Sequence, residues 1–224
     1  MKNKSVKLVL LSISIIFFGI AIRRYFFKNW APYYQKKLYK EPRPLLLKAL
    51  DCFNNTFQEK RALDLGAGTG NDTAYLLKHG WKVWANDIEP EAIKVIASRN
   101  DIEPYAQNLI LMQKSFIDLP WAHLPQFNLI YAGYSLPFAH PLEFMKIWNH
   151  IVQAIKPGGI FAGHFFGEYH GAFNWWVKRK MSFFTKEQLL RLFDDFHIDL
   201  FEELHETSKS GVIDHSFNVV AKKI

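Results

Sequence analysis

The stretch RALDLGAGTGNDTAYLL, residues 61–77, constrains this chain more than any other. A short apolar run leads into three glycines at alternate positions, Gly66, Gly68 and Gly70, and a helical pattern follows at once. Glycine reaches left-handed backbone angles without a side-chain penalty and lets other groups come close to the main chain. A strand, a glycine turn and a helix in that order form the nucleotide-binding corner of a doubly wound α/β fold. The spacing narrows the ligand. A dehydrogenase corner needs G-x-G-x-x-G, yet the residue three after Gly68 is Asn71, and a phosphate loop needs a lysine that is absent here. Asp64 stands two residues before the first glycine instead. A carboxylate is a poor neighbour for pyrophosphate and a good one for a cation.

The rest of the chain alternates in the same way. Strands are expected at 61–65, 82–87, 109–113, 127–132 and 159–166, with helices at 71–79, 90–99 and 141–155. Short apolar strands separated by helices imply a mainly parallel sheet covered on both faces. Thr185 opens a further helix over 185–193. Two strand-like stretches, 196–203 and 215–222, then follow around the turn-rich HETSKSG. Their connection is too short for a crossover helix, so this C-terminal hairpin adds antiparallel pairing. Past Pro44 an amphipathic helix is expected, with Leu46, Leu47, Leu50 and Phe53 on its apolar face. Asp87 ends the second strand, 17 residues after Gly70, where a carboxylate can hold the hydroxyls of a ribose or cap the helix that follows.

Charge is unevenly spread. Residues 1–48 hold eleven Lys or Arg and one acid, whereas residues 49–224 hold seventeen bases and twenty acids. The acidic body offers a nucleic-acid backbone little attraction. The basic end brackets the uncharged run LVLLSISIIFFGIAI, residues 8–22. As a helix it rises roughly 22 Å, short of the ~30 Å hydrocarbon core. Flanking lysines and arginines can snorkel to cover part of the deficit. A signal peptide, a mistaken start and a buried helix are the alternatives to a single-pass anchor. The heavier basic load after the run favours the anchor and keeps the following domain cytoplasmic. Cys52 is the only cysteine, which excludes an internal disulfide.

The motifs LDLGAGTG, VWANDIEPEAI, FNLIYAGYSLPF and IVQAIKPGGIFAGHFFG resemble, in order, those of class I S-adenosylmethionine-dependent methyltransferases. EPRPLLLKAL and the pair GGIFAGHFFGE and MSFFTKEQLLRLF are similar to the small bacterial tellurite-resistance type. The resemblance implies a Rossmann-like fold and S-adenosyl-L-methionine as cofactor. It gives Gly66, Gly68 and Gly70 the approach to the methionyl part, Asp64 its amino end, Asp87 the ribose and Ile88 the adenine. The adenine-contacting acid of many relatives falls at Ser115, a departure that leaves the Phe116 backbone and the Asp118 side chain for that contact. Tyr131 would face the cofactor from the end of the fourth strand. No Asn-Pro-Pro-Tyr signature occurs, AGYSLPF standing in its place, which argues against base or protein-amide methylation.

No catalytic residue is fixed by the sequence; His140 is the candidate, while His164 and His170 lack the ligand spacing of a metal site. The segment HGAFNWWVKRKMSFF, residues 170–184, reads as a lid, a membrane-touching patch or a surface connector. The expected organisation is a basic anchor at 1–28, a connector with an amphipathic helix at 29–60, and a methyltransferase domain at 61–224. Its substrate would be a small molecule, with apolar or membrane-partitioned compounds favoured. A tethered non-catalytic cofactor-binding protein is the alternative.

Overall fold

A computed structural model describes residues 31–53, 59–171, 180–207 and 213–224. The apolar run at 8–22 and the Trp175–Trp176 pair lie outside the described residues. Two compact units are distinguished, Met1–Lys37 and Leu38–Ile224. In the first, helix α1 (Ala31–Lys37) ends with Lys36 and Lys37 in its last turn, where positive charge complements the helix dipole.

The second unit is built on one eight-stranded sheet. Strands β1 (Arg61–Leu65), β2 (Lys82–Asp87), β3 (Leu109–Gln113), β4 (Phe127–Ala132) and β5 (Ile155–Gly167) are mutually parallel. A two-residue strand β6 (Phe183–Phe184) pairs parallel to the end of β5. The hairpin β7 (Phe196–Thr207) and β8 (Ile213–Lys223) joins antiparallel, with β8 against β5. The order is β3-β2-β1-β4-β5-β8-β7, so the chain reverses direction between β1 and β4. That reversal opens a crevice at the carboxyl ends of those strands, the ligand position of open α/β sheets.

Alternate residues of each strand serve opposite faces. On one face, helices α5 (Pro141–Ala154) and α6 (Lys186–Leu192) cover Leu63, Leu65, Phe161 and Phe165. Trp148 anchors this side, its ring edge-on to Phe161 and Phe193 at 5.0 Å each. On the other face, helices α2 (Pro44–Asp51), α3 (Asn71–Lys78) and α4 (Pro90–Ala97) cover Ala62, Leu129, Tyr131 and Ala162.

Three expectations need adjustment. Helix α2 buries Leu45, Leu46 and Ala49, with Leu50 and Phe53 half-buried, and Leu47 faces outward. Leu45, Leu46 and Ala49 share one side of a 3.6-residue repeat, and Leu47 stands about 100° round from Leu46. Strand β5 starts at Ile155 and takes in residues 156–159, and its pairing with β4 shifts register between Phe127 and Leu129. The hairpin strands extend to Thr207 and from Ile213, into what the sequence reads as turn. Cross-strand pairing of His205 with His215 and Thr207 with Ile213 supplies backbone bonds that local turn propensity does not register.

Candidate cofactor and acceptor site

The glycine loop owes its shape to left-handed backbone. Gly66, Gly68 and Gly70 have φ of 71°, 57° and 72°. A Cβ on Gly66 would lie 2.4 Å from Ser135 Cβ, and one on Gly70 2.7 Å from Ile96 Cγ1. The Ser135 hydroxyl donates to the Leu65 carbonyl at 2.5 Å, which ties the loop after β4 to the end of β1. The Phe116 ring comes within 3.7 Å of the same Gly66 position. The crevice between β1 and β4 is therefore walled by residues from three separate connections.

Below the loop, Arg99 is buried and fixes the turn. It donates to the Thr69 carbonyl at 2.8 Å and to Asn71 Oδ1 at 2.6 Å. Its other nitrogens fork onto Asp101 at 2.9 and 2.8 Å, holding that carboxylate at a pKa of about 2. Asp87 closes the loop from the side. Its Oδ2 accepts from Gly68 N–H at 2.8 Å and its Oδ1 from Glu89 N–H at 3.0 Å. Burial raises its pKa while those backbone donors pull it down. Ile88 beside it is 59 % exposed.

Asp64 is enclosed, at 2 % exposure, on the sheet face that carries α3. Thr73 Oγ1 donates to its Oδ2 at 2.6 Å. Asp72 is also buried and is held by Arg43 through both the backbone N–H at 2.8 Å and the guanidinium. Burial, followed by repulsion from Asp72, pushes the Asp64 pKa up to about 7, against the Thr73 bond and the Arg43 charge. Asp64 thus sits on the edge of ionisation at neutral pH, and a cation placed nearby would favour its charged form.

The remaining expected residues are more dispersed. Ser115 donates to Asp118 Oδ2 at 2.5 Å, and the Phe116 carbonyl accepts from Trp121 Nε1 at 2.8 Å. Tyr131 is fully buried, and its hydroxyl has no partner among the described residues. His140 is exposed and caps α5, its Nδ1 accepting from Leu142 N–H at 3.3 Å. That is a structural job, and it explains a histidine there without chemistry. His170 stacks on Phe166 at 3.9 Å and reaches Asp214 at 3.4 Å, whereas His164 stacks on Tyr134.

One metal-like cluster occurs among the described residues: Glu203, His205 and His215. Its geometry is that of hydrogen bonds. His215 Nδ1 accepts from Tyr169 N–H at 3.1 Å, so the neutral ring carries its proton on Nε2, which faces Glu203 Oε1 at 3.2 Å. A metal-bound histidine normally donates from its second nitrogen, the reverse of this arrangement.

Sequence reasoning missed Arg43, Arg99, Ser135 and Tyr134. Asp72 carried a readable signal, an acid in the first turn of a helix opened by glycine. Arg99 and Ser135 reach the loop from 28 and 70 residues away, Arg43 meets Asp72 in α3, and Tyr134 stacks on His164.

The donor set fits a cationic, hydroxyl-bearing ligand. Two carboxylates flank the glycine loop, no lysine approaches it in sequence, and the loop backbone is bare where a Cβ would clash.

Comparison with known proteins agrees. Residues 62–159 match the family model described as a methyltransferase domain. The chain is 30% identical over 101 residues to a probable dimethyladenosine transferase of Dictyostelium discoideum, covering 45% of this chain and 31% of that protein. It is 30% identical over 103 residues to an uncharacterized methyltransferase of Synechocystis, covering 46% and 45%. The matched region thus spans less than half the length of either curated relative. Among solved structures, TehB from Haemophilus influenzae superposes with a TM-score of 0.68 at 16% identity, covering 86% of this chain and 66% of that one. The N-methyltransferase NodS from Bradyrhizobium japonicum, in complex with S-adenosyl-L-homocysteine, gives 0.59 at 13% identity, covering 88% and 99%. At these identities the solved structures establish the fold, and residues 62–159 are similar to a methyltransferase domain.

Proposed function

We propose, from the methyltransferase-domain match of residues 62–159, that this chain is an S-adenosylmethionine-dependent methyltransferase acting on a small molecule. The observation that carries the reading is the loop itself: three left-handed glycines between buried Asp64 and Asp87, at the point where the sheet reverses. S-adenosylmethionine, when bound, would supply a sulfonium-activated methyl group for transfer to an acceptor lone pair, its sulfur leaving as a neutral thioether. The chain's own residues bind and align. Asp87, fixed by Gly68 and Glu89 N–H groups, retains lone pairs for ribose hydroxyls. Exposed Ile88 offers an apolar surface to the adenine, with Phe116 and Ser115 on the neighbouring connection. Asp64 stabilises the ammonium end electrostatically. Such a site needs alignment and exclusion of water more than a general base.

The reading extends to organisation: an anchor at 1–28, a connector at 29–60 and the methyltransferase domain at 61–224, tethered at the cytoplasmic membrane face. Its support is the uncharged run at 8–22 between basic flanks. Among the described residues no helix is long and apolar enough to cross a membrane. A membrane position favours lipophilic substrates.

Calorimetric titration with S-adenosylmethionine, S-adenosylhomocysteine and NAD tests the cofactor. Binding of the first two and none of NAD is expected; binding of NAD alone would sink the proposal. Labelled-methionine profiling of cells with and without the chain then looks for a new methylated small molecule. Cofactor binding with no such product would point to the tethered, non-catalytic alternative.

A further inference from the structure

Beside the glycine loop, two buried polar side chains end without partners. The Tyr131 hydroxyl and His164 Nδ1 are both enclosed, and neither has a hydrogen-bond partner among the described residues. They belong to one place. Tyr131 pairs with Asp64 across β1–β4 and with Ala162 across β4–β5, so His164 lies two residues further along the adjoining strand on the same face. The Tyr131 ring folds forward over Gly133, its hydroxyl 2.8 Å from where a Cβ would be, which brings it to the level of His164. Asn218 stands directly opposite His164 on β8, and its Oδ1 is likewise buried and unpaired while its Nδ2 donates to Glu202 at 3.2 Å.

Native interiors rarely leave such groups unsatisfied, and a cluster of them marks a site completed by something else. Chemistry narrows what that is. Burial raises the Tyr131 pKa well above its ordinary value and lowers that of His164 to about 3, with the Arg43 charge adding to the latter. At neutral pH the pair is therefore an O–H donor and an uncharged imidazole. A base this weak does not retain a proton, so His164 positions rather than deprotonates. The wall is aromatic: Tyr134 stacks on His164 with centroids 3.8 Å apart and planes at 17°. Tyr134 is 39 % exposed and holds φ of 57°, a left-handed angle uncommon outside glycine and characteristic of functional loops. The Arg43 guanidinium lies 6.0 Å from the Tyr134 ring centre and is ion-paired with Asp72, so the charges beside the pair offset one another.

We propose that Tyr131, His164 and the Tyr134 ring form the recognition pocket for the methyl acceptor, and that this acceptor is a flat aromatic bearing adjacent hydrogen-bond-accepting and hydrogen-bond-donating oxygens. The word acceptor rests on the methyltransferase reading; the pocket does not. Its test uses the full chain, with salicylate as the hydroxy-carboxylate probe, tryptamine as the aromatic probe without oxygens and S-adenosylhomocysteine as the cofactor control. Wild-type protein is expected to bind salicylate and to bind tryptamine at least tenfold more weakly. His164→Leu is expected to lose tenfold or more of the salicylate affinity while S-adenosylhomocysteine affinity stays within twofold, and Tyr131→Phe is expected to lose tenfold or more of the salicylate affinity. Tyr131→Phe removes an unpaired hydroxyl, so its melting temperature should match or exceed wild type. Salicylate binding that is absent from the wild type or unchanged in both variants would overturn the pocket. Equal affinity for tryptamine would overturn its selection for oxygens, and a lower melting temperature for Tyr131→Phe with no salicylate binding would assign the hydroxyl to internal structure. Failure of S-adenosylhomocysteine to bind overturns the methyltransferase reading alone, because the salicylate titration is also run without cofactor.

Discussion

Gly66 combines a φ of 71° with a neighbour, Ser135 Cβ, 2.4 Å from any added methyl. Gly66→Ala therefore meets backbone strain and overpacking together, and a loss of about 2–4 kcal/mol is expected by denaturant unfolding. Adding Ser135→Gly should recover part of that, since it removes the contact and leaves the strain. Asp64 makes a pH prediction. Its folded pKa of about 7 lies above the ordinary 3.8, so the native state holds a proton that the unfolded chain releases. Its contribution is complete at low pH and is lost as pH rises through about 7, worth about 4 kcal/mol at its limit. Asp64→Asn should flatten that decline, raising the melting temperature most at pH 8, and should weaken S-adenosylhomocysteine binding there. His164 has the opposite slope, because its pKa of about 3 costs stability as pH falls from 6.5. His164→Leu should therefore melt less steeply toward pH 4 than wild type. The glycines and Asp64 are legible in sequence because spacing alone names them. Ser135 and Arg43 are not, since each acts on residues distant in the chain and its meaning arises only when β1 meets β4 and α3.

At the scale of elements, most boundaries follow from local pattern. Thr185 accepts from Gln188 N–H and Gln188 returns to Thr185 N–H, a capping box that the TKEQ tetrapeptide spells out. Where local pattern fails, a longer contact has decided. The outward turn of Leu47 follows from how α2 lies on the sheet, and the length of the β7–β8 ladder from cross-strand pairing that no single segment encodes. The loop between β1 and α3 shows the same dependence, because a residue at the end of α4 holds it. Arg99→Met would leave the buried Thr69 carbonyl without its donor and Asp101 with Lys78 alone, and is expected to cost about 2–4 kcal/mol. Arg99→Lys should recover little, as an ammonium cannot form the planar fork on Asp101. Thermal unfolding with and without S-adenosylhomocysteine checks both variants. If the loop is built from α4, the ligand should also restore less stability in either variant than in wild type.

For the whole molecule, charge and hydropathy are partitioned rather than mixed. A balance of +10 over residues 1–48 adjoins a body of −3, and the apolar run at 8–22 lies inside the basic part. A purely electrostatic tether would be released by salt, because the Debye length falls to about 3 Å at 1 M. An inserted helix would not, since its fifteen uncharged residues remain apolar at any ionic strength. A helical rise of roughly 22 Å calls for local thinning or snorkelling, and lysines and arginines are present on both sides for the latter. The full chain is thus expected to float with liposomes and to remain bound after washes in 1 M salt and in alkaline carbonate. Removal of residues 1–28 should move it to the soluble fraction with S-adenosylhomocysteine affinity unchanged, because the carboxylates and glycines of the loop all lie beyond residue 60. Release by salt alone would reduce the N-terminus to a surface-binding basic arm, and a full chain found wholly in the soluble fraction would remove the membrane from the proposal.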